Sequence, residues 1–262
     1  MARRPKKNSE KCAVMKNPIV LVHGLGAFGK FGPIEYFHGI TEWLKRSGNR
    51  VHVVNLTFWH SIEHRAQELN EQMKKVFPGE KVNLLGHSMG GLDARLYTQK
   101  FDKGERVASV ITVGTPNRGT AIVDHFLDLF LDDVMTKTDV IAKKMRLSHD
   151  GFRQVGKKNF EKYFEQKLPD VEGVKYFSAT SVIKKPVIFN SLPMFWLTHP
   201  ILKIHEGEND GFVSEESARW GEHICTHFGD HYAQVGQILG RGKMDHLKFF
   251  GEIISRLSLE GL

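Results

Sequence analysis

The ten residues VNLLGHSMGG at positions 82–91 constrain the fold of this chain more than any other segment. A short apolar run leads into Gly86, and Ser88 lies between that glycine and the pair Gly90 and Gly91. Glycine costs backbone entropy on folding, so three glycines around one serine indicate close contact with neighbouring backbone. The pattern of an apolar strand, G-x-S-x-G and a helix predicts a sharp turn that presents the serine hydroxyl.

Apolar runs and helical patterns alternate on both sides of this turn. The strand-like runs cover 19–24, 50–56, 82–86, 107–114 and 173–181. Ser61 is a suitable cap for a helix with apolar residues at helical spacing from Ile62 to Val76, and a second helix is predicted from Met89 to about Phe101. This alternation predicts the α/β class: a mostly parallel central sheet with helices on both faces.

The chain is expected to form one domain over 18–262, preceded by a basic, disordered tail at 1–17. An inserted helical cap or lid is predicted at about 119–172, where the alternation stops. Its segment 121–135 is apolar on more than one side, which fits a mobile lid, the wall of an acyl pocket or a buried cap helix equally well. Phe195, Trp196 and Leu197 are expected in the same pocket or in the core.

The remaining composition excludes several classes of protein. No apolar stretch is long enough for a transmembrane helix, and the N-terminus lacks the apolar region of a signal peptide, so a cytoplasmic protein is expected unless a signal has been removed. Cys12 and Cys225 are too few for a disulfide framework. The net charge of +7 comes partly from the tail, and neither zinc-binding spacing nor an RNA-binding signature accompanies it, which argues against nucleic acid as a partner.

A serine hydroxyl needs a neighbouring base to become a nucleophile, so Ser88 predicts an acid and a histidine later in the chain. Asp210 is the first choice for the acid because ENDG forms a turn after an apolar run; Glu206 and Glu208 are the alternatives. Two histidines remain open as the base. His231 lies in a glycine-flanked stretch, whereas His246 follows a suitable N-cap, Asp245, at the start of the terminal helix. His223 and His227 are expected to be ordinary surface or packing residues.

At this point the sequence resembles the bacterial triacylglycerol lipases of the Pseudomonas and Burkholderia type, which have the α/β-hydrolase fold. The resemblance rests on LVHGLGAFG, VNLLGHSMGGLDARL, SVITVGTPNRGT, ENDGFVS and DHYAQVGQILG, which occur in the order found in that family. The pairing of GHSMGG with GTPNRG is more specific than the serine motif alone. The similarity spans residues 19 to about 257 and is weakest in the middle.

The resemblance implies that Ser88 is the nucleophile, Asp210 the acid and His231 the base, with an oxyanion hole formed by the backbone N–H groups of Leu25 and Met89. The segment from His231 to Gln237 matches the family's H-L-D-E-V-N-Q. A different lipase branch carries D-H-x-x-F-x-G at its base, which His246 also fits. The family's calcium site uses the aspartate of H-L-D, and Ala233 replaces it here. Since a methyl group cannot bind a hard cation, no calcium is expected in that site. No other metal and no cofactor is expected either.

These observations predict a serine hydrolase that cleaves carboxylic esters of lipids through an acyl-enzyme intermediate. A phospholipase or an acyltransferase with the same triad is the alternative, and a binding protein without catalytic activity is disfavoured because all three triad residue types are present. The expected partners are an ester substrate and, transiently, a lipid–water interface. The oligomeric state stays open.

Overall fold

The computed structural model of the protein describes residues 11–25, 29–31, 34–126, 150–163, 168–184, 193–237 and 244–262. Within these ranges, the strands are Ile19–Val22 (β1), Lys30–Phe31 (β2), Ile34–Glu35 (β3), Val51–Val53 (β4), Val82–His87 (β5), Val107–Val113 (β6), Lys175–Val182 (β7) and Glu222–Phe228 (β8). Six of them form a parallel sheet in the order β4-β1-β5-β6-β7-β8, and β2 pairs with β3 in antiparallel fashion.

Helices cover both faces of this sheet. They are Ile40–Arg46 (α1), Ile62–Met73 (α2), Met89–Tyr97 (α3), Ala121–Phe126 (α4), Asp150–Gln154 (α5), Lys157–Tyr163 (α6), Pro193–Glu206 (α7), Glu215–Ala218 (α8) and His246–Leu259 (α9). Helices α2 and α3 bury Leu69 and Leu92 in one apolar core, while α1 and α9 bury Leu44 and Ile253 in the other. The predicted α/β class is confirmed by this parallel sheet with helices on both faces. A sheet covered on both faces also explains why its central strands are almost continuously apolar.

Strand β8 is a feature that the sequence patterns did not predict. Its sequence EHICTHF contains no continuous apolar run, and most of its side chains are only half-buried. The reason is its place at the edge of the sheet, where only β7 pairs with it. An edge strand does not need the continuous apolar run that identified the central strands.

Residues 11–17 differ from the predicted disordered tail. The amide of Met15 donates to Asn49 Oδ1 at 2.8 Å, and the amide of Lys16 donates to the carbonyl of Leu262 at 2.7 Å. The Met15 side chain is buried in the core under α1 and α9. This buried side chain and the two hydrogen bonds fix the segment on the domain. Residues 1–10 lie outside the described residues.

The predicted cap falls between β6 and β7. Its described part contains helices α4, α5 and α6, whereas 127–149 and 164–167, including most of the proposed lid segment, lie outside the described residues. The domain boundaries given above therefore stay predictions. In the part of the chain that the structure describes, none of the helices has the length and hydropathy needed to span a bilayer.

The connection from β5 to α3 explains the glycines around Ser88. A Cβ atom on Gly86 would overlap the backbone of Gly90, and one on Gly90 would overlap the carbonyl of Val22 on β1. A Cβ atom on Gly91 would overlap the side chain of Thr115. Strand and helix can approach this closely only without side chains at these positions, as the sequence pattern predicted.

The substitution Gly86→Ala should lower the free energy of unfolding by about 2–4 kcal/mol, because backbone atoms rather than a flexible side chain oppose the new methyl group. Gly251→Ala is the matched control. Gly251 lies inside α9, and the nearest atom to a Cβ there would be in the Trp43 side chain at 3.6 Å. The control should be neutral or stabilising by up to about 1 kcal/mol. Urea unfolding followed by circular dichroism measures both, and equal losses would contradict the explanation.

Candidate active site

Ser88 lies at the turn between β5 and α3 in a strained backbone conformation. Its φ of 56° and ψ of −135° are unfavourable for a residue with a side chain. Two backbone hydrogen bonds fix the turn. The Ser88 amide donates to the carbonyl of Val113 at 2.9 Å, and the Gly91 amide donates to the carbonyl of Ser88 at 3.1 Å. Strain of this kind persists where the surrounding structure over-determines a functional position.

His231 and Asp210 form a direct side-chain pair. The Nδ1 atom of His231 lies 2.7 Å from Asp210 Oδ2, and both side chains are buried. The backbone repeats the contact, since the His231 amide donates to the Asp210 carbonyl at 2.9 Å. Because the ionised carboxylate only accepts hydrogen bonds, Nδ1 carries the proton, and the imidazole lone pair is left on Nε2.

The Asp210 carboxylate is saturated with donors. Its Oδ1 atom accepts from the amides of Phe212 at 2.9 Å and Val213 at 2.8 Å, and Oδ2 accepts from Gln234 Nε2 at 2.8 Å as well as from His231. A fully buried carboxylate without such donors would carry a large desolvation cost. The four hydrogen bonds offset this cost and hold the carboxylate in place behind His231.

Gln234, His87 and Tyr36 extend this network and were not singled out by the sequence patterns. His87 Nε2 contacts Gln234 Oε1 at 3.1 Å, and Tyr36 OH lies 2.6 Å from His87 Nδ1. Since Gln234 uses its amide nitrogen to donate to Asp210, its oxygen accepts from His87 Nε2, and His87 Nδ1 accepts from Tyr36. Complete burial keeps the pKa of His87 well below its usual range, so this imidazole stays neutral. Of these three residues, only His87 had a sequence feature that could have pointed to the site, because it lies inside the GHSMG motif.

The loop after β1 packs directly against the serine. A Cβ atom on Gly24 would lie 2.9 Å from the Cβ of Ser88. Arg65 of α2 holds this loop, since its guanidinium donates to the carbonyls of His23 and Thr57, each at 2.7 Å. A fully buried ion pair with Asp93 at 2.8 Å fixes Arg65 in turn. Arg65 was also missed, because its position is set by the packing of α2 on α3.

A cavity of about 390 Å³ opens beside these residues. It is lined by Ser88, His231 and the two predicted oxyanion-hole residues, Leu25 and Met89. Met89 is the first residue of α3, where backbone N–H groups lack partners within the helix. Apolar side chains form much of the remaining wall: Trp59, Ile122, Phe152, Val155, Met194 and Phe212. The structure thus brings Ser88, His231, Leu25 and Met89 to one cavity, with Asp210 behind the imidazole.

Of the residues predicted to line the pocket, some line the cavity, one is in the core and two are exposed. Ile122 and Val123 of α4 are buried and line the cavity, which favours the pocket-wall interpretation for the described start of the 121–135 segment. Phe195 is a core residue, with its ring centroid 5.1 Å from that of Phe212. Trp196 and Leu197 were expected in the pocket or the core, but both side chains are exposed.

The alternative candidates for the base and the acid form contacts outside the His231–Asp210 pair. His246 begins α9 behind the N-cap Asp245, and its Nε2 contacts the carbonyl of His38 at 3.1 Å. Glu206 accepts from the Ala121 amide at 2.5 Å and the Ser214 hydroxyl at 2.6 Å, and Glu208 forms an ion pair with Lys203. Among the described residues, only His231 of the two candidate bases is paired with a carboxylate predicted as the acid.

Ala233 occupies the position of the calcium-binding aspartate. It begins a short 3₁₀ turn, Ala233–Val235, directly behind His231, and its methyl group is buried. The absence of a calcium site there stays a prediction from the residue type.

The chain is similar to named lipases and esterases over most of its length. It is 27% identical to a triacylglycerol lipase of Pseudomonas fragi over 94% of this chain and 97% of the relative. A triacylglycerol lipase of Vibrio cholerae is 26% identical over 94% of this chain and 88% of the relative. Among solved structures, a metagenomic carboxyl esterase superposes with a TM-score of 0.73 at 15% identity, covering 98% of this chain and 80% of the other.

Together with the elbow serine and the parallel sheet, these relatives define a carboxylic ester hydrolase with the α/β-hydrolase fold. The expected resemblance to the bacterial triacylglycerol lipases is confirmed. The model of the palmitoyl protein thioesterase family matches residues 18–176, which is more than half of the chain. The chain belongs to this family.

Asp230, immediately before His231, is a buried carboxyl group with a raised pKa. Its Oδ1 atom accepts from the amides of Tyr232 at 3.0 Å and Ala233 at 2.8 Å, but Oδ2 is buried without a hydrogen-bond partner in the described part of the chain. Burial, together with the nearby charge of Asp210, raises the pKa of Asp230 to about 6, although the two amides and His231 oppose the shift. The folded protein therefore holds this proton more tightly than the unfolded chain.

The substitution Asp230→Asn should consequently stabilise the protein at neutral pH. The ordinary pKa of an aspartate is about 3.9, so the native state binds the proton more tightly between about pH 4 and pH 6 and loses stability as the pH rises through that window. Above pH 6 the free energy of unfolding of the variant should exceed that of the parent by about 1–2 kcal/mol, and below pH 4 the difference should vanish. Urea unfolding from pH 4 to 8 measures this. A difference that does not change with pH would contradict the raised pKa.

Proposed function

We propose that the protein hydrolyses carboxylic esters of lipids through an acyl-enzyme intermediate, with Ser88 as nucleophile, His231 as general base and Asp210 as the acid of the triad. The observation that supports this proposal is the His231–Asp210 bond of 2.7 Å beside a cavity that Ser88 also lines. Nε2 of His231 takes the proton of the Ser88 hydroxyl as the oxygen attacks the ester carbonyl. Asp210 fixes the tautomer and stabilises the imidazolium that forms.

The negative charge that develops on the carbonyl oxygen needs preorganised donors. We assign this role to the backbone N–H groups of Leu25 and Met89, and one donor of this kind typically contributes about 3–4 kcal/mol to lowering the barrier. Arg65 acts as a positioning residue, because it holds the carbonyls of the loop that carries Leu25. His231 then returns its proton to the leaving alcohol, and a water molecule activated by the same imidazole releases the acid from Ser88.

The substrate class follows from the walls of the cavity. Its apolar lining suits an acyl chain better than a polar acyl group, since ligand sites of this kind fix orientation with a few polar groups and gain affinity from apolar contact. Triacylglycerols are the substrates named for the relatives of Pseudomonas fragi and Vibrio cholerae. A phospholipase or an acyltransferase would use the same triad with another head group or acceptor.

Variants of the proposed triad should separate the two candidate bases. Ser88→Ala, Asp210→Asn and His231→Ala should each lower kcat for p-nitrophenyl esters by on the order of 10³-fold or more, because the nucleophile, the tautomer or the base is lost. His246→Ala is the matched control and should keep kcat within about a factor of three. If His246→Ala removes activity while His231→Ala retains it, the assignment is wrong.

The lipid preference is testable across a series of p-nitrophenyl esters from acetate to palmitate. Each methylene buried in the cavity is worth about 0.8 kcal/mol, so kcat/KM should rise roughly fourfold per methylene until the cavity is filled. Met194→Ser should reduce this gain because Met194 lines the cavity. Ile204→Ser, at an exposed position of the same helix, should leave it unchanged. An optimum at acetate would contradict a lipid substrate.

A further inference from the structure

Three metal-binding side chains meet on the edge of the sheet, outside the cavity described above. Cys225 and His227 lie two residues apart on β8, so both point to the same face of the strand. Glu252 faces them from α9. The Cys225 sulfur, a ring nitrogen of His227 and a carboxylate oxygen of Glu252 all lie within 4.8 Å of one another, and His227 Nε2 is 2.8 Å from Glu252 Oε2.

The pairing of strand β8 keeps this arrangement regular. Cys225 lies opposite Ala179 and His227 opposite Ser181 on β7, and the irregularity in the pairing falls before Cys225. On the helix side, the Phe249 ring packs against His227, with centroids 5.1 Å apart. Phe249 is fully buried, and it therefore fixes both the imidazole and the turn of α9 that leads to Glu252.

The types of donor decide which ion would fit. A thiolate and an imidazole are poor ligands for calcium or magnesium, which take oxygen ligands. Zinc accepts sulfur, nitrogen and carboxylate oxygen together in tetrahedral geometry, and sites with three protein ligands keep a fourth position for water. Glu252 is exposed and the other two side chains are half-buried, so an ion and a water molecule can reach the cluster.

A surface ion pair would account for only part of this cluster. An exposed pair such as His227–Glu252 contributes little to stability, and it does not require a thiol beside the carboxylate. A cation held between all three groups makes use of each of them. We propose that Cys225, His227 and Glu252 bind a zinc ion with water as the fourth ligand, and that this ion links edge strand β8 to helix α9.

Binding breaks the Cys225 S–H bond and the hydrogen bond between His227 and Glu252, and it forms three bonds from these side chains to the ion. The Cys225 S–H bond breaks, its proton leaves to solvent, and the thiolate binds the ion. The imidazole binds through Nε2, with its proton on Nδ1, and the carboxylate binds as it stands. Because β8 ends at Phe228 and His231 follows three residues later, the ion stabilises the segment that leads to the proposed base.

The experiment uses the full chain, freed of metal with a chelator and titrated with zinc and with cobalt(II). One equivalent of zinc should bind per chain, and a hundredfold excess over Kd should raise Tm by on the order of 5–10 °C. Cobalt(II) in the same site should give the near-ultraviolet charge-transfer absorption of a thiolate–cobalt bond, which reports on the sulfur ligand independently of stability or activity.

Variants identify the ligands. Cys225→Ser should abolish the charge-transfer absorption, whereas Cys12→Ser, a change at the second half-buried thiol, should leave it intact. Glu252→Gln changes an exposed side chain without changing its size, so it should fold normally and bind zinc at least about tenfold more weakly. The proposal is overturned if the parent binds no stoichiometric zinc, if Cys225→Ser retains the absorption, or if Cys12→Ser loses it.

Discussion

The buried carboxylate of Asp210 is the constraint on which the site depends. An ionised aspartate without exposure to water is tolerated only when several donors surround it, and here two backbone amides, one side-chain amide and one imidazole converge on its two oxygens. The donors come from the loop after α7 and from the turn after β8, so the charge ties together segments that are distant in the chain. The imidazole of His231 is oriented as a consequence.

Behind this charge, a second layer of buried polar groups fixes the first. Tyr36, His87 and Gln234 form a continuous series of hydrogen bonds that ends on Asp210, and a partly satisfied network of this kind would be costly in a low-dielectric core. On the other side of Ser88, the buried pair of Arg65 and Asp93 holds the loop of the proposed oxyanion hole. Breaking such a pair by removing one partner typically costs about 3–5 kcal/mol, so the loop geometry is tied to the stability of the fold.

Local patterns predicted the central strands, the glycine turn at Ser88 and the N-caps at Ser61 and Asp245, because each depends on neighbours in sequence. They did not predict β8, which lacks a continuous apolar run at its edge position. They also did not predict that Met15 and two hydrogen bonds from backbone amides hold residues 11–17 on the domain. The choice between His231 and His246 could not be made from local pattern either, since both fit a motif. The contacts of Arg65 and the cluster at Cys225 depend on how helices pack, and no spacing in the sequence shows them.

The most direct test of the account is covalent labelling of the protein with a fluorophosphonate, followed by peptide mass spectrometry and a rate measurement. A serine activated by the His231–Asp210 pair should carry the label at Ser88, and Asp210→Asn should slow labelling by on the order of 10³-fold while the fold is retained. Labelling at another residue, or equally fast labelling of the Asp210→Asn variant, would contradict the claim that this buried carboxylate prepares the base.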